Sequence, residues 1–145
     1  MSRLLLLALP VLALACAHRP NVTAGTAKPI LLHRDLLQGM PTGPLQEVRV
    51  VTGVLQPGVT TGDHTHRFPL AVYVVEGEFT LEVGDANPVT LKAGEVAVEP
   101  PNVRVVGYNA GSTVTRIIDF YVSDPDTPFV DYVSDPDTPV VDPAQ

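Results

Sequence analysis

The chain has 145 residues and a formal net charge of −7, with 9 basic and 16 acidic side chains. This length suits one domain, and the negative charge argues against nucleic acid or an anionic membrane surface as a partner. A single cysteine excludes an internal disulfide.

The first 15 residues have the layout of a secretory signal peptide. Arg3 supplies a positive charge, an apolar stretch runs from Leu4 to Ala15, and Cys16 follows. The stretch is too short to cross a bilayer as a helix. Cleavage would remove Arg3, so the charge of −7 would become −8 in the mature chain. We therefore predict an exported protein and leave residues 1–15 out of the fold.

Cys16 has two interpretations. It is a lipidation site, since bacterial lipoproteins carry acyl groups on a cysteine directly after the signal, or it is a free thiol left by ordinary cleavage after Ala15. Ala13 and Leu14 depart from the usual lipoprotein pattern. We favour lipidation, because an unpaired exposed thiol is a liability in an oxidising compartment. The lipid anchor would hold the protein at the periplasmic face of a bacterial membrane.

Proline content and turn residues divide the rest of the chain. Residues 16–44 contain 4 prolines and are predicted to be a linker and a lead-in arm. Residues 45–123 consist of short apolar or alternating runs between turn residues, which predicts an all-β sandwich or barrel. The predicted strands are Gln46–Leu55, Leu70–Glu76, Glu78–Val83, Val89–Lys92, Glu95–Glu99, Val103–Tyr108 and Thr113–Val122.

Residues 124–145 form an acidic, proline-rich tail. The octapeptide YVSDPDTP occurs twice, at residues 121–128 and again at residues 132–139. Two copies do not make a solenoid, which needs at least three units to bury a core. The composition predicts disorder after about Pro128.

His64 and His66 are the candidate metal ligands. Two residues apart on an extended segment, they place both imidazoles on one face. Such a pair can chelate a divalent transition metal, namely Fe, Zn, Cu or Ni. Alone the pattern is weak, because a solvent-facing pair of histidines on any strand looks the same.

The residues around this pair resemble the two motifs of the cupin family over about residues 45–122. The matching landmarks are Gly58, His64, His66 and Gly77 in the first motif, and Gly94, Pro100 and Asn109 in the second. The resemblance implies an all-β double-stranded β-helix, or jelly-roll, barrel. It also implies a metal site of three histidines and a glutamate.

The departures from the motifs fall on the metal ligands. Leu70 stands in the glutamate position and Val105 in the position of the third histidine. Asn102 replaces a glycine of the second motif, and asparagine tolerates the left-handed backbone that a turn there needs. Arg104 cannot take the histidine's place, because its guanidinium stays protonated. The chain thus supplies two of the four implied ligands.

Other side chains are weaker candidates for a missing ligand: Asp63, Glu78, Glu99, Tyr73, Tyr108 and Asp119. The inward-facing positions are apolar and are predicted to line a pocket for a small hydrophobic ligand. The predicted pocket residues are Leu70, Val72, Phe79, Leu81 and Val105.

Three functions fit these observations. The favoured one is a small-ligand-binding cupin that holds a divalent metal weakly or not at all, with no catalytic residue assigned. A metal-dependent enzyme of dioxygenase or isomerase type needs a third protein ligand. A structural envelope lipoprotein would keep only the scaffold. Cupins often pair through their sheets, and the Gln46–Leu55 segment offers an edge for a homodimer.

Overall fold

The computed structural model describes residues 28–133. The signal peptide, Cys16 and all but the first two residues of the second octapeptide therefore lie outside the described residues. Within residues 28–133 the regular structure is entirely strand, which confirms the all-β prediction. The strands are β1 Glu47–Leu55, β2 His64–Thr65, β3 Leu70–Glu76, β4 Glu78–Val83, β5 Val89–Lys92, β6 Val96–Glu99, β7 Val105–Tyr108, β8 Thr115–Ser123 and β9 Asp131–Tyr132.

The strands form two antiparallel sheets that enclose the core. One sheet has the order β1-β8-β3-β6 and the other the order β5-β4-β7-β2-β9. The non-sequential order means that the chain crosses repeatedly between the sheets, as in a jelly roll. The core draws residues from both sheets, including Leu70, Val72 and Val74 of β3 and Phe79 and Leu81 of β4.

Local patterns place three strands without error. β3, β4 and β5 begin and end where the sequence predicts, because glycine or a turn dipeptide bounds each of them. β6 begins one residue later than predicted, since the backbone N–H of Glu95 closes a turn onto the carbonyl of Lys92. β7 begins at Val105 because Asn102 takes a left-handed φ of 57°, as its residue type predicts.

Gly107 on β7 permits the tightest packing in the barrel. A Cβ at this position would lie 2.1 Å from Cζ of Phe79, which is buried on the neighbouring strand β4. Two non-bonded carbon atoms cannot approach this closely, so the aromatic ring occupies the space that the missing side chain of glycine leaves. Buried Asn109 fixes the following loop, because its amide donates to the carbonyls of Leu55 and Thr113.

The folded part extends beyond the predicted end of the barrel at residue 123. Residues 124–133 return to the sheet, and Asp131–Tyr132 forms β9 beside β2. The expected disorder after Pro128 is therefore wrong for residues 129–133. Composition gave the wrong result here because backbone pairing with β2 and an Arg67–Asp131 ion pair hold a segment that has few apolar side chains.

The lead-in arm contains no strand between residues 28 and 46. It runs past the Pro100–Pro101 turn, where Gly39 closely approaches the ring of Pro101. Several of its apolar side chains, among them Ile30 and Leu36, are exposed. Within residues 28–133, no helix has the length and apolarity needed to cross a membrane.

Candidate metal centre

The two predicted histidines lie side by side in the interior. His64 is on β2 and His66 directly follows that strand, so both imidazoles point to the same face as predicted. Their Nε2 atoms are 3.2 Å apart, and the ring planes are nearly perpendicular at 88°. His66 is only 2% exposed and His64 is also buried.

Backbone carbonyls hold the opposite nitrogen of each ring. Nδ1 of His64 lies 3.0 Å from the carbonyl oxygen of Gly62, and Nδ1 of His66 lies 2.6 Å from that of Phe129. A carbonyl oxygen only accepts, so each Nδ1 must carry the proton and donate it. In the neutral rings both Nε2 atoms then present lone pairs, as metal-ligating histidines do.

Glu99 completes a cluster with the two histidines. Its Oε2 lies 3.0 Å from Nε2 of His66, and Glu99 as a whole is 4% exposed. Despite this short separation the atoms are not aligned for a hydrogen bond, and Oε2 has no hydrogen-bond partner. The ligand atoms of the three residues all lie within 4.8 Å of one another.

This donor set fits a divalent transition metal. Two imidazole nitrogens and a carboxylate oxygen lie close together in the interior, and electron-rich atoms in that arrangement repel one another. A buried carboxylate oxygen without a partner is also costly. A cation between the three atoms removes both penalties, and two histidines with one carboxylate are a common ligand set for such metals.

Burial shapes the electrostatics of the site. It lowers the pKa of His64, with a smaller effect of the same sign from His66, so the ring is neutral at neutral pH and its lone pair is free. Burial also raises the pKa of Asp119 to about 7, assisted by the charge of Glu99. Asp119 lies on the inward face of β8, between buried Ile117 and Tyr121, and is more exposed than either.

The other candidate ligands do not join the cluster. Asp63 forms an ion pair with Arg104 at 2.7 Å. Glu78 is exposed on β4. Tyr73 and Tyr108 alternate with the buried residues of β3 and β7 and therefore face outward.

Sequence reasoning named Glu99 but could not assign it to the site. The direction of its side chain depends on which strand lies beside β6, and the sequence alone does not give that. One available signal was that Glu99 ends a predicted strand directly before Pro100, a landmark of the second motif.

The predicted pocket residues all lie in the packed interior. Leu70, Val72, Phe79, Leu81 and Val105 belong to one buried core cluster. An open cleft of ≈ 750 Å³ lies elsewhere, between the lead-in arm and the barrel, where Leu36, Val83 and Pro101 contribute to its walls. Binding of a small ligand at the five predicted residues stays a prediction.

Comparisons with known proteins agree with this architecture. A family model described as a cupin domain matches residues 51–121. An RmlC-like cupin from Shewanella frigidimarina is 30% identical, with a TM-score of 0.49, over 55% of this chain and 69% of that one. No curated protein matched the sequence.

Two further solved structures share the fold at lower identity. An RmlC-like cupin family protein from Methanocaldococcus jannaschii, described as a double-stranded β-helix, has a TM-score of 0.50 at 22% identity over 70% of this chain and 94% of its own. The DMSP lyase DddQ from Ruegeria pomeroyi has a TM-score of 0.54 at 13% identity, over 59% of this chain.

Several of these matches are with much longer proteins. The chain covers 43% of the Ruegeria lyase and 39% of another structure from a study of DMSP lyases. Similarity at this level concerns the fold alone. The family match, the identity to the Shewanella protein and the two antiparallel sheets together show that this chain belongs to the cupin family.

Proposed function

We propose that this protein is a cupin that binds a divalent transition metal through His64, His66 and Glu99, and that it binds a small ligand at the positions the protein leaves free on the metal. The observation that carries the proposal is the convergence of three buried lone-pair donors, of which Glu99 Oε2 lacks a hydrogen-bond partner. The carbonyls of Gly62 and Phe129 orient both rings toward this point.

The chemistry of the donors limits the metal to a few ions. Two imidazoles and one carboxylate suit Fe(II), Zn(II), Cu(II) or Ni(II), and this set with open positions is typical of mononuclear non-haem iron. When bound, such an ion supplies a Lewis acid that polarises an oxygen atom of a ligand. The protein would contribute a dry, apolar surrounding from the core residues next to the site.

Metal content tests this proposal directly. We expect protein purified without a histidine tag, and incubated with Fe(II), Zn(II), Cu(II) or Ni(II), to retain about one equivalent of at least one ion by elemental analysis. His64→Ala, His66→Ala and Glu99→Gln should each lose it. Glu78→Gln is the matched control, because Glu78 is an exposed carboxylate outside the cluster. Absence of metal from the unaltered chain would contradict the proposal.

An enzyme is the second candidate, because Glu99 would supply the third ligand that two histidines alone lack. Asp119 adds an inward-facing carboxyl able to exchange a proton near neutral pH. Nitric oxide added to the Fe(II)-loaded protein is a suitable probe. A high-spin ferrous nitrosyl signal in electron paramagnetic resonance would show an open coordination position, which both ligand binding and catalysis need. Absence of that signal from iron-loaded protein would contradict both an iron enzyme and ligand binding at the iron.

Export and lipid anchoring remain part of the proposal. They rest on the signal-like residues 1–15 and on Cys16 directly after them. Mass spectrometry of the mature N-terminus distinguishes a diacylglyceryl-modified Cys16 from a free one. A mass equal to that of the unmodified chain beginning at Cys16 would contradict lipidation.

A further inference from the structure

A short segment after β8 covers the candidate metal centre. Residues 128–133 are here called the strap. The carbonyl of Phe129 accepts a hydrogen bond from Nδ1 of His66 at 2.6 Å. The Phe129 ring packs against the ring of His66 with centroids 5.4 Å apart, and against that of Tyr121 at 5.6 Å. The strap thus supplies both a polar and an apolar contact to one ligand.

The strap is attached to the strand that begins at His64. β9 pairs with β2, so that Tyr132 lies opposite His64 and Asp131 opposite Thr65. The N–H of Val133 donates to the carbonyl of Asp63 at 3.0 Å. These backbone bonds join the strap to the residues immediately before and within β2.

An ion pair at the surface fastens the middle of the strap. Arg67 donates two hydrogen bonds to the carboxylate of Asp131, at 2.7 and 3.0 Å. The guanidinium lowers the pKa of Asp131, so the pair is charged at neutral pH. Both side chains are more than a third exposed, and an exposed pair of this kind is weak enough to open.

The two copies of the octapeptide each place their first residue, a tyrosine, beside one of the two histidines. Tyr121 begins the first copy and Tyr132 begins the second. The Tyr121 ring lies 5.7 Å from that of His66, and the Tyr132 ring lies 6.3 Å from that of His64. The second copy therefore begins within the site, although composition assigns it to a free tail.

We propose that the strap positions His66 for metal binding and closes the site, so that strap closure and metal binding stabilise each other. The proposal rests on the metal-binding function proposed above. The Phe129 carbonyl fixes the tautomer and the orientation of His66, which is the role that outer-shell acceptors have for ligating histidines. If strap closure raises the metal affinity of His66 in this way, metal binding must favour strap closure by the same factor.

The test uses the full chain with changes in the strap. Phe129→Ala keeps the backbone carbonyl but removes the ring contacts that hold it against His66, while Arg67→Gln and Asp131→Asn each remove the ion pair. Arg67→Asp combined with Asp131→Arg restores the pair with its charges exchanged. Arg116→Gln is the matched control, since Arg116 and Glu76 form an exposed ion pair on the other sheet.

Three measurements follow the two events separately. Calorimetric titration with Zn(II) gives affinity, and backbone hydrogen exchange of residues 129–133 with and without Zn(II) gives strap closure. Imidazole nitrogen shifts of His66 in metal-free protein report which nitrogen carries the proton. We expect Zn(II) to protect the strap, and Phe129→Ala to weaken Zn(II) binding about 10-fold or more and to mix the His66 tautomers. The single ion-pair variants should lose about 5-fold and the charge exchange should recover it.

The experiment distinguishes failure of the strap proposal from failure of the proposed metal site. If all strap variants bind Zn(II) as tightly as the unaltered chain, the proposed linkage is overturned. If the unaltered chain binds no Zn(II), the proposed function fails for this ion. The imidazole nitrogen shifts then test whether the strap positions His66. A pure Nδ1–H tautomer that Phe129→Ala disturbs would then support positioning, whereas an unchanged tautomer would overturn it.

Discussion

Glu99 lies directly opposite Leu70, in register across the antiparallel pair of β6 and β3. Residues directly opposite in such a pair point to the same face of the sheet, with Cβ atoms about 4.5–5.5 Å apart. The resemblance to cupins puts a metal-binding glutamate at position 70. In this chain the neighbouring strand brings a carboxylate to the same side of the barrel, where it meets Nε2 of His66.

This relationship predicts that a metal-binding carboxylate can be moved from position 99 to position 70. Glu99→Leu should weaken metal binding by at least ~100-fold, above the 10- to 100-fold typical of losing an outer-shell partner. Adding Leu70→Glu to that variant should recover most of the affinity, because the carboxylate returns to the same face. Titration with Zn(II) and Fe(II) measures both effects. Equal affinity of Glu99→Leu and the unaltered chain would exclude Glu99 as a ligand.

The same Glu99→Leu variant should be more stable than the unaltered chain when both are free of metal. It removes a buried carboxylate oxygen that has no hydrogen-bond partner, and burying such a group costs about 1–3 kcal/mol. Urea denaturation in the presence of a chelator measures the difference. A lower unfolding free energy for the variant would show that Glu99 stabilises the fold rather than the metal.

A third imidazole, introduced on β7, should strengthen metal binding. Val105 lies directly opposite His64 in the β2–β7 pair and is fully buried. We expect Val105→His to bind Zn(II) about 10-fold more tightly or better, which corresponds to about 1.4 kcal/mol. The larger ring should also cost the metal-free protein about 1–3 kcal/mol by overpacking. Val105→Phe is the control, and it should show the loss of stability without the gain in affinity.

The contribution of Asp119 to the stability of the metal-free protein should fall as pH rises toward neutrality. Burial raises the pKa of Asp119 from 3.8 to about 7, so the folded state prefers the protonated carboxyl. This contribution is complete below about pH 4 and is lost as pH rises through about 7. It is at most about 4 kcal/mol, and less because Asp119 is not fully buried.

Asp119→Asn should remove that dependence, because the amide does not titrate. The measurement is urea denaturation with a chelator at about pH 5 and about pH 8, comparing the variant with the unaltered chain. The difference between the two proteins isolates Asp119 from the other carboxylates. An identical pH dependence in both would contradict the assignment.

Gly107 should tolerate no side chain while Phe79 is present. A Cβ at this position would lie 2.1 Å from the ring, so Gly107→Ala forces β4 and β7 apart. We expect a loss of about 1–3 kcal/mol or more in the free energy of unfolding. Combining it with Phe79→Leu should cost less than the sum of the two single changes, because the smaller side chain frees the space. A strictly additive double variant would show that the ring is not the obstacle.

The sequence by itself determined most of the strands and the direction of the histidine pair. Alternation along Leu70–Glu76 and Glu78–Val83, with Gly77 between them, sets those strand limits because period two and turn residues act over a few neighbours. The two-residue spacing of His64 and His66 places both rings on one face for the same reason. The cupin assignment followed from spaced landmarks, and the family match confirms it.

Only the tertiary structure decided that Glu99 is the third member of the cluster and that residues 128–133 cover it. Each fact depends on which strands become neighbours and in what register, and segments distant in the chain fix that choice through packing. Glu99 meets His66 because β6 lies beside β3, and Phe129 meets His66 because the chain returns after β8 to pair with β2. A local pattern contains neither relationship, because pairing between distant strands is settled only when the sheets close around a common core.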